Sequence, residues 1–147
     1  MSHQTLVERF RSARGHDSLV VLEGFHPLKH AIRFGAELIE VVCFNTEEVA
    51  SLGAKFAPDI ALDKHLRAVP REVFEQLAPI SPPTGVIAIA HRPTVSLAEM
   101  LSNRAPAPVV LLENPRNLLN IGAAIRVSAA AGAAGVITTG AQDPWHP

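Results

Sequence analysis

An asparagine, a glycine and an arginine near the end of the chain have the types and spacing of an anion or substrate site. They are Asn120, Gly122 and Arg126 in the segment NIGAAIR, which follows the apolar run PVVLLE. Asn120 is predicted to cap a helix, Gly122 lets a backbone or ligand approach closely, and Arg126 lies one turn beyond Gly122. Because an unpaired charge is costly in a core, Arg126 either reaches solvent or an internal ion pair, or binds an anion or substrate.

A second group of candidate residues is basic and lies in the first part of the chain. Histidine, lysine and arginine recur at i, i+3, i+4 and i+7 in HPLKHAIR, and further arginines precede this segment. Such a stripe either contacts the phosphates of a nucleic acid, which positions it without reading its sequence, or is a solvated helix face. The candidates for phosphate contact are His26, Lys29, His30, Arg33, Arg11 and Arg14.

Other reactive side chains give weaker signals. His26 and His30 are four residues apart, but HPLKH lacks the glutamate of a zinc-protease helix and no Cys/His pair supplies more ligands, so no metal site is predicted. The single cysteine, Cys43, lies in the apolar run LIEVVCF and is predicted to be a buried, inert thiol.

The composition is that of a globular protein. Of the 147 residues, 48% are hydrophobic and 18% charged, which argues against disorder, and the net charge of −1 argues against a chain that is basic throughout. No apolar run approaches the roughly 18 residues of a membrane span, and the N-terminus shows no apolar signal region. These features predict a cytoplasmic protein.

The elements that position the candidate residues alternate between strand and helix. SLVVLEG, LIEVVCF and TGVIAIA have strand composition, and helices are predicted in HPLKHAIRFG, TEEVASLGAKF and VPREVFEQLAP. Pro27 suits a first helical position, Gly35 a helix stop and Thr46 an N-cap. The alternation predicts an α/β fold with a parallel or mostly parallel sheet covered on both faces.

Composition and proline positions divide the chain into three segments. Residues 1–91 form the first domain, and the proline-rich residues 92–108 form a linker with one short helix. Residues 109–147 hold few charges and read as strand, helix and strand, with the helix running from Asn120 to Ala131 and ending at Gly132.

Several of these segments resemble a known family. LLENP, Asn120-Ile-Gly-Ala-Ala-Ile-Arg126 and AAAGAAGVITTG are similar to the first motif of the TrmH/SpoU-type RNA 2′-O-ribose methyltransferases of the SPOUT superfamily. DPWHP, Asp143 to Pro147, resembles the segment that leads to the next motif in one branch of that family. VLEGFHPLKHAIRFGAEL and PPTGVIAIAHRP are similar to the ribosomal-protein-like α/β/α substrate-binding domain fused in front, so the resemblance covers essentially the whole chain.

The resemblance implies a reaction and a role for each candidate residue. The reaction is metal-free methyl transfer from S-adenosylmethionine to a ribose 2′-hydroxyl of rRNA or tRNA. Arg126, Asn120 and Glu113 are the implied catalytic residues: Arg126 acts on the hydroxyl and the adjacent phosphate, Asn120 organises the site, and Glu113 orients the loop. Because a guanidinium group stays protonated in proteins, Arg126 suits stabilisation of the developing alkoxide better than proton abstraction. The basic stripe of residues 26–33, with Arg11 and Arg14, becomes a candidate RNA contact.

The resemblance also sets expectations for residues 109–147. In the family, later motifs build a C-terminal trefoil knot that holds the cofactor and forms a homodimer, so this segment corresponds to a truncated α/β domain. We expect the 147-residue chain alone neither to bind S-adenosylmethionine nor to turn over, and its cofactor-binding residues stay unassigned. Two other interpretations are open: a non-catalytic RNA-binding module, and a small-molecule α/β protein that binds an anion at the helix of Asn120.

Overall fold

The computed structural model describes residues 2–102 and 107–145. They group into two compact units, of which the first runs to Pro93 and the second is Thr94–Trp145. The short helix inside the predicted linker 92–108 groups with the second unit. Residues 103–106 of that linker lie outside the described residues, as do residues 146 and 147, the last two of the DPWHP segment.

The first unit alternates helices and strands around one four-stranded sheet. Its elements are α1 (His3–Arg14), β1 (Leu19–Glu23), α2 (Phe25–Arg33), β2 (Leu38–Cys43), α3 (Thr46–Phe56), β3 (Arg67–Ala68), α4 (Arg71–Phe74) and β4 (Val86–His91). The strand order is β1-β4-β2-β3, in which β4 runs antiparallel to both neighbours and β2 pairs with β3 in parallel.

The prediction of a parallel or mostly parallel sheet is wrong for this unit. The strand β4 is buried from Val86 to Ala90 because it lies between β1 and β2 with helices on both faces. A continuous apolar run is the pattern of any strand buried on both faces, so it does not distinguish a parallel strand from a central antiparallel one. The predicted strands and the coverage of both faces are confirmed.

Two hydrophobic clusters pack on the opposite faces of this sheet. Alternate residues of one strand point to opposite faces, so Val42 joins one cluster while Val41 and Cys43 join the other. One cluster takes Leu6 and Phe10 from α1, a helix that the sequence patterns did not predict. The other takes residues from α2 and α3. The result is an α/β/α unit with a buried core, as the resemblance implies.

The helix ends differ from the prediction in detail. The N-cap of α3 is Asn45 and not Thr46, because the Asn45 side chain accepts hydrogen bonds from the amides of Glu47 and Glu48 at 3.1 and 3.2 Å. Pro27 is the third residue of α2 and not the first. Gly35, with a φ of +73°, follows the end of α2 as predicted, since glycine adopts this conformation without strain.

The second unit contains two short parallel strands. Its elements are α5 (Leu97–Ser102), β5 (Val109–Leu112), α6 (Leu118–Ala130) and β6 (Gly135–Thr138), with β5 paired to β6. Among its described residues only Ile121 and Ser128 are buried, while Leu111, Leu119 and other large apolar side chains are exposed. A strand pair and one helix thus bury little apolar surface. Over the described part of the chain, no helix is both long and apolar enough to cross a membrane.

Candidate functional site

The loop between β5 and α6 holds the residues of the first candidate site. The N-cap of α6 is Asn117, whose side chain accepts hydrogen bonds from the amides of Leu119 and Asn120 at 2.9 and 3.3 Å. Asn120 is therefore the third helical residue, and its predicted capping role is wrong. Its side chain is exposed at the first turn, where it is available to a ligand rather than committed to the helix end.

A second loop meets the first at the carboxyl ends of the two strands. The Asn114 amide donates to the Thr139 hydroxyl at 3.0 Å, and the Thr139 amide donates to the Leu112 carbonyl at 3.1 Å. Asn114 has a φ of +42°, and a Cβ added at Gly140 would lie 2.5 Å from its side-chain oxygen. Only glycine therefore allows this approach. The two loops lie together beyond the carboxyl ends of β5 and β6, which is where α/β sheets with parallel strands bind their ligands.

Arg126 is exposed and folds back along α6. A Cβ added at Gly122 would lie 3.4 Å from the Nη1 atom of Arg126, so the guanidinium group lies beside this glycine. Arg126 is thus not buried, and within residues 2–102 and 107–145 it forms no ion pair, so contact with solvent and binding of an anion or substrate both stay open. Among the described residues, neither Asn120 nor Glu113 makes a hydrogen bond with Arg126. Glu113 is exposed directly after β5.

An open cleft of about 650 Å³ lies elsewhere in the second unit. Its lining includes Met100, Ile125, Val136 and Trp145, and none of its lining residues is charged. The amino acid part of S-adenosylmethionine carries a carboxylate and an ammonium, which need polar or charged partners when they are desolvated. The cleft offers the hydroxyl groups of Ser128 and Thr138 but no charged partner, and no residue of this chain is assigned to the cofactor.

The second candidate site is the basic stripe of α2. His26 and His30 lie with their ring centroids 4.7 Å apart, and the Lys29 Nζ atom stands 5.9 Å from the centre of the Phe25 ring. Burial lowers the pKa of His30, and the nearby His26, Lys29 and Arg33 lower it further. The residues of the stripe share one face of α2, and His30 is an uncharged member of the stripe at neutral pH.

Two arginines of the predicted RNA surface form ion pairs within the first unit. Arg33 donates two hydrogen bonds to Asp59, both at 2.7 Å, which raise the pKa of Arg33 and lower that of Asp59. Arg14 donates to Glu23 at 2.6 Å and is largely buried. Arg11 is exposed on α1. Arg11 and the half-buried Lys29 are therefore the cations of the predicted set that form no ion pair in the described part of the chain.

The remaining candidates are the single cysteine and a metal site. Cys43 is fully buried as predicted, and its burial raises the pKa of the thiol. Within residues 2–102 and 107–145, no group of three or more His, Cys, Asp or Glu side chains could hold a metal ion.

Three features of the two sites could not be predicted from the local sequence: the N-cap of α6, the contact between the two loops, and the partner of Arg33. Asn117 and Asn120 have the same chemical type, but only Asn117 has the extended backbone of an N-cap, with φ of −120° and ψ of 114°. The hydrogen bond from Asn114 to Thr139 joins loops 25 residues apart, Asn114 also approaches Gly140, and no local signal marks either contact. Asp59, the partner of Arg33, lies 26 residues further along the chain.

Comparisons with known proteins identify the fold. No family model matches the chain, and no curated protein matches it. Among solved structures, it is similar to an AdoMet-bound rRNA methyltransferase from Sinorhizobium meliloti, with 21% identity, a TM-score of 0.67, and coverage of 98% of this chain and 53% of that chain.

Two further structures agree. The SpoU methyltransferase AviRb from Streptomyces viridochromogenes, in complex with the cofactor AdoMet, has 23% identity, a TM-score of 0.69, and coverage of 99% of this chain and 55% of that one. An RNA 2′-O ribose methyltransferase has 25% identity, a TM-score of 0.62, and the same two coverages. The chain thus has the α/β fold of SpoU-type methyltransferase structures and spans little more than half their length. The predicted fold class and the resemblance are confirmed.

Proposed function

We propose that this chain is the RNA-binding domain and the first part of the catalytic domain of an S-adenosylmethionine-dependent RNA 2′-O-ribose methyltransferase. The supporting observation is that the likeness to the methyltransferase structures extends over 98% and 99% of the chain. It therefore includes both the α/β/α unit and the strand, loop and helix with Arg126. RNA as the partner, a homodimer formed through the family's knot region, and a cytoplasmic location belong to the same proposal.

Arg126 has the chemistry that methylation of a ribose hydroxyl requires from this part of the enzyme. Its guanidinium group is exposed beside Gly122 on α6. A group that stays protonated at all working pH values cannot act as a base, but it stabilises the alkoxide that forms as the 2′-hydroxyl loses its proton, and its fork binds the adjacent phosphate. Asn120, exposed at the first turn, is proposed to orient the ribose, and Glu113 to hold the loop.

The first unit is proposed to hold the RNA by contacts that do not read its sequence. Lys29 and Arg11 offer their charges to phosphates, while His26 and His30 widen the polar face of α2. Arg33 and Arg14 reach a phosphate only in competition with Asp59 and Glu23, respectively. The affinity is therefore expected to be salt-dependent and to rest on few contacts.

The test of the reaction uses the protein purified from its source cells. It is incubated with S-adenosylmethionine labelled on its methyl group and with rRNA and tRNA, and the RNA is digested to nucleosides. We expect the label in 2′-O-methyl nucleosides and its loss in the Arg126→Ala protein. Label in a methylated base would contradict the proposal.

The test of RNA binding uses the 147-residue chain in a mobility-shift assay with structured RNA. Lys29→Glu is expected to weaken binding, while Lys64→Glu, the same charge reversal on an exposed turn that is not part of α2, serves as the control. Equal losses in the two variants would show an effect of net charge alone and would remove α2 from the interface.

A further inference from the structure

Three rings follow one another along the exposed side of α2 and past its end. His26, His30 and Phe34 are each four residues apart, so they lie on one face of the helix. The His26 and His30 rings meet edge to face, and the His30 and Phe34 rings are nearly parallel, with an angle of 12° and a centroid distance of 6.0 Å. Phe34 ends this row and is 79% exposed.

Phe34 is not part of the buried core of the first unit. It belongs to neither hydrophobic cluster, and the Phe34 backbone amide caps the end of α2 by donating to the His30 carbonyl. A single exposed apolar residue needs no explanation by itself, so the case for a ligand rests on the row of rings and on the cations beside it.

The surroundings of the row favour a nucleic acid over an apolar partner. Lys29 lies on the same helix, and Arg33 directly precedes Phe34 with Asp59 as its partner. The pKa of His30 is lowered by burial and by its basic neighbours, so at neutral pH its imidazole is an uncharged ring behind Phe34. Aromatic side chains next to cations are the usual platform for unpaired bases, because every base has a π-face and every nucleotide a phosphate.

We propose that Phe34, backed by His30, stacks on an unpaired base of the RNA. This proposal deepens the proposed function, on which it rests, because it names the part of the RNA that the first unit recognises: a loop, bulge or single strand rather than a continuous duplex. In a duplex, both faces of each base are already stacked, and the platform gains nothing from it.

The first unit offers a matched control residue. Phe56 is also exposed, at 52%, but the Lys55 Nζ atom stands 5.1 Å from its ring centre and no second ring among the described residues backs it. It has the same side chain as Phe34 without the row of rings. Replacing either phenylalanine is expected to leave the fold intact because neither belongs to a hydrophobic cluster, and thermal unfolding of each variant checks this.

The experiment uses the 147-residue chain and an RNA hairpin whose loop contains the fluorescent base 2-aminopurine, with the same stem as a blunt duplex for comparison. Stacking on an aromatic ring quenches this fluorophore. Phe34→Ala is expected to weaken hairpin binding by about 5- to 150-fold and to abolish the quenching, since stacking on one aromatic side chain is worth that factor. Phe56→Ala is expected to change neither value, and neither variant should alter the affinity for the duplex.

Two further variants separate stacking from apolar contact. Phe34→Leu keeps most of the apolar surface without the ring and should behave as Phe34→Ala, whereas Phe34→Trp should retain affinity and quenching. Hairpin binding that survives in both Phe34→Ala and Phe34→Leu would overturn the stacking proposal and leave the RNA-binding function standing. Full affinity in Phe34→Leu alone would overturn it in favour of an apolar partner surface. A wild-type chain that binds neither RNA at low salt would overturn both.

Discussion

The ion pair between Arg33 and Asp59 allows the sharpest test of the RNA surface on α2. Two hydrogen bonds of 2.7 Å join the guanidinium group to both carboxylate oxygens, so a phosphate must compete with Asp59 for the same donors. These bonds lower the pKa of Asp59. A carboxyl group with a lowered pKa keeps its pair at neutral pH and loses it only as the pH falls through that lowered value. Substitution, rather than a change of pH, must therefore release Arg33.

The change is Asp59→Asn, and its effect follows from counterion release. A phosphate contact adds roughly 0.7 to 0.9 to the slope of log affinity against log salt concentration. If Arg33 is freed to make one more contact, the slope steepens by about that amount. A fourfold rise in salt then lowers the affinity of the variant by a factor of about three more than that of the wild type. At low salt, Asp59→Asn should bind RNA more tightly than the wild type.

The assay is fluorescence anisotropy of a labelled RNA hairpin over a series of salt concentrations. Glu75→Gln is the control, because Glu75 pairs with Arg71 and its side chain is 53% exposed, against 52% for Asp59. The control removes one negative charge without touching α2. An unchanged slope in Asp59→Asn would refute the reasoning, and so would an equal gain in both variants.

Three further predictions concern the fold and the catalytic part. Gly85→Ala should destabilise the chain in thermal unfolding by at least about 1 kcal/mol more than Gly35→Ala. Both glycines have positive φ, but a Cβ at Gly85 would lie 2.8 Å from Phe44, whereas a Cβ at Gly35 would have nothing within 4 Å. Asn117→Ala should weaken α6 by about 1 kcal/mol in hydrogen exchange, and Asn120→Ala by less than half of that, because only Asn117 caps the helix; equal effects would contradict the cap assignment. Calorimetric titration of the 147-residue chain with S-adenosylmethionine should show no binding, and micromolar affinity would contradict the expectation.

The local pattern was sufficient where burial alone decides the structure. LIEVVCF and TGVIAIA became β2 and β4 because β-branched runs favour an extended backbone, and Gly35 follows the end of α2 because glycine adopts a positive φ without strain. The helix α1 was missed although Leu6 and Phe10 are fully buried on it. Its polar residues predict only a basic segment, and the sheet surface beneath it shows why three buried apolar residues, Leu6, Phe10 and Ala13, are enough.

Some features of the candidate sites could likewise be predicted from the local sequence, and others could not. Arg126, Gly122 and the basic stripe of α2 could be selected from the sequence, because charge, glycine and helical spacing are local properties. The sequence could not show that Arg33 is paired with Asp59 while Lys29 forms no ion pair with any described residue, because ion pairs over such separations depend on where the chain returns. For the same reason Asn117 rather than Asn120 caps α6: the two side chains are alike, and the backbone at the end of the loop decides between them.

By itself, the sequence determined the succession of strands and helices except α1 and β3, the two-sided burial of the first unit and the motif around Arg126, since these depend on side-chain type and spacing. Only the tertiary structure decided that β4 lies antiparallel between β1 and β2, that the loops of Asn114 and Gly140 meet, and that Phe34 ends a row of rings in solvent. The first two features join parts of the chain that are distant in sequence. The third depends on which side chains the packed unit leaves exposed to solvent. Pairing and exposure arise from the whole packed unit and not from any one segment.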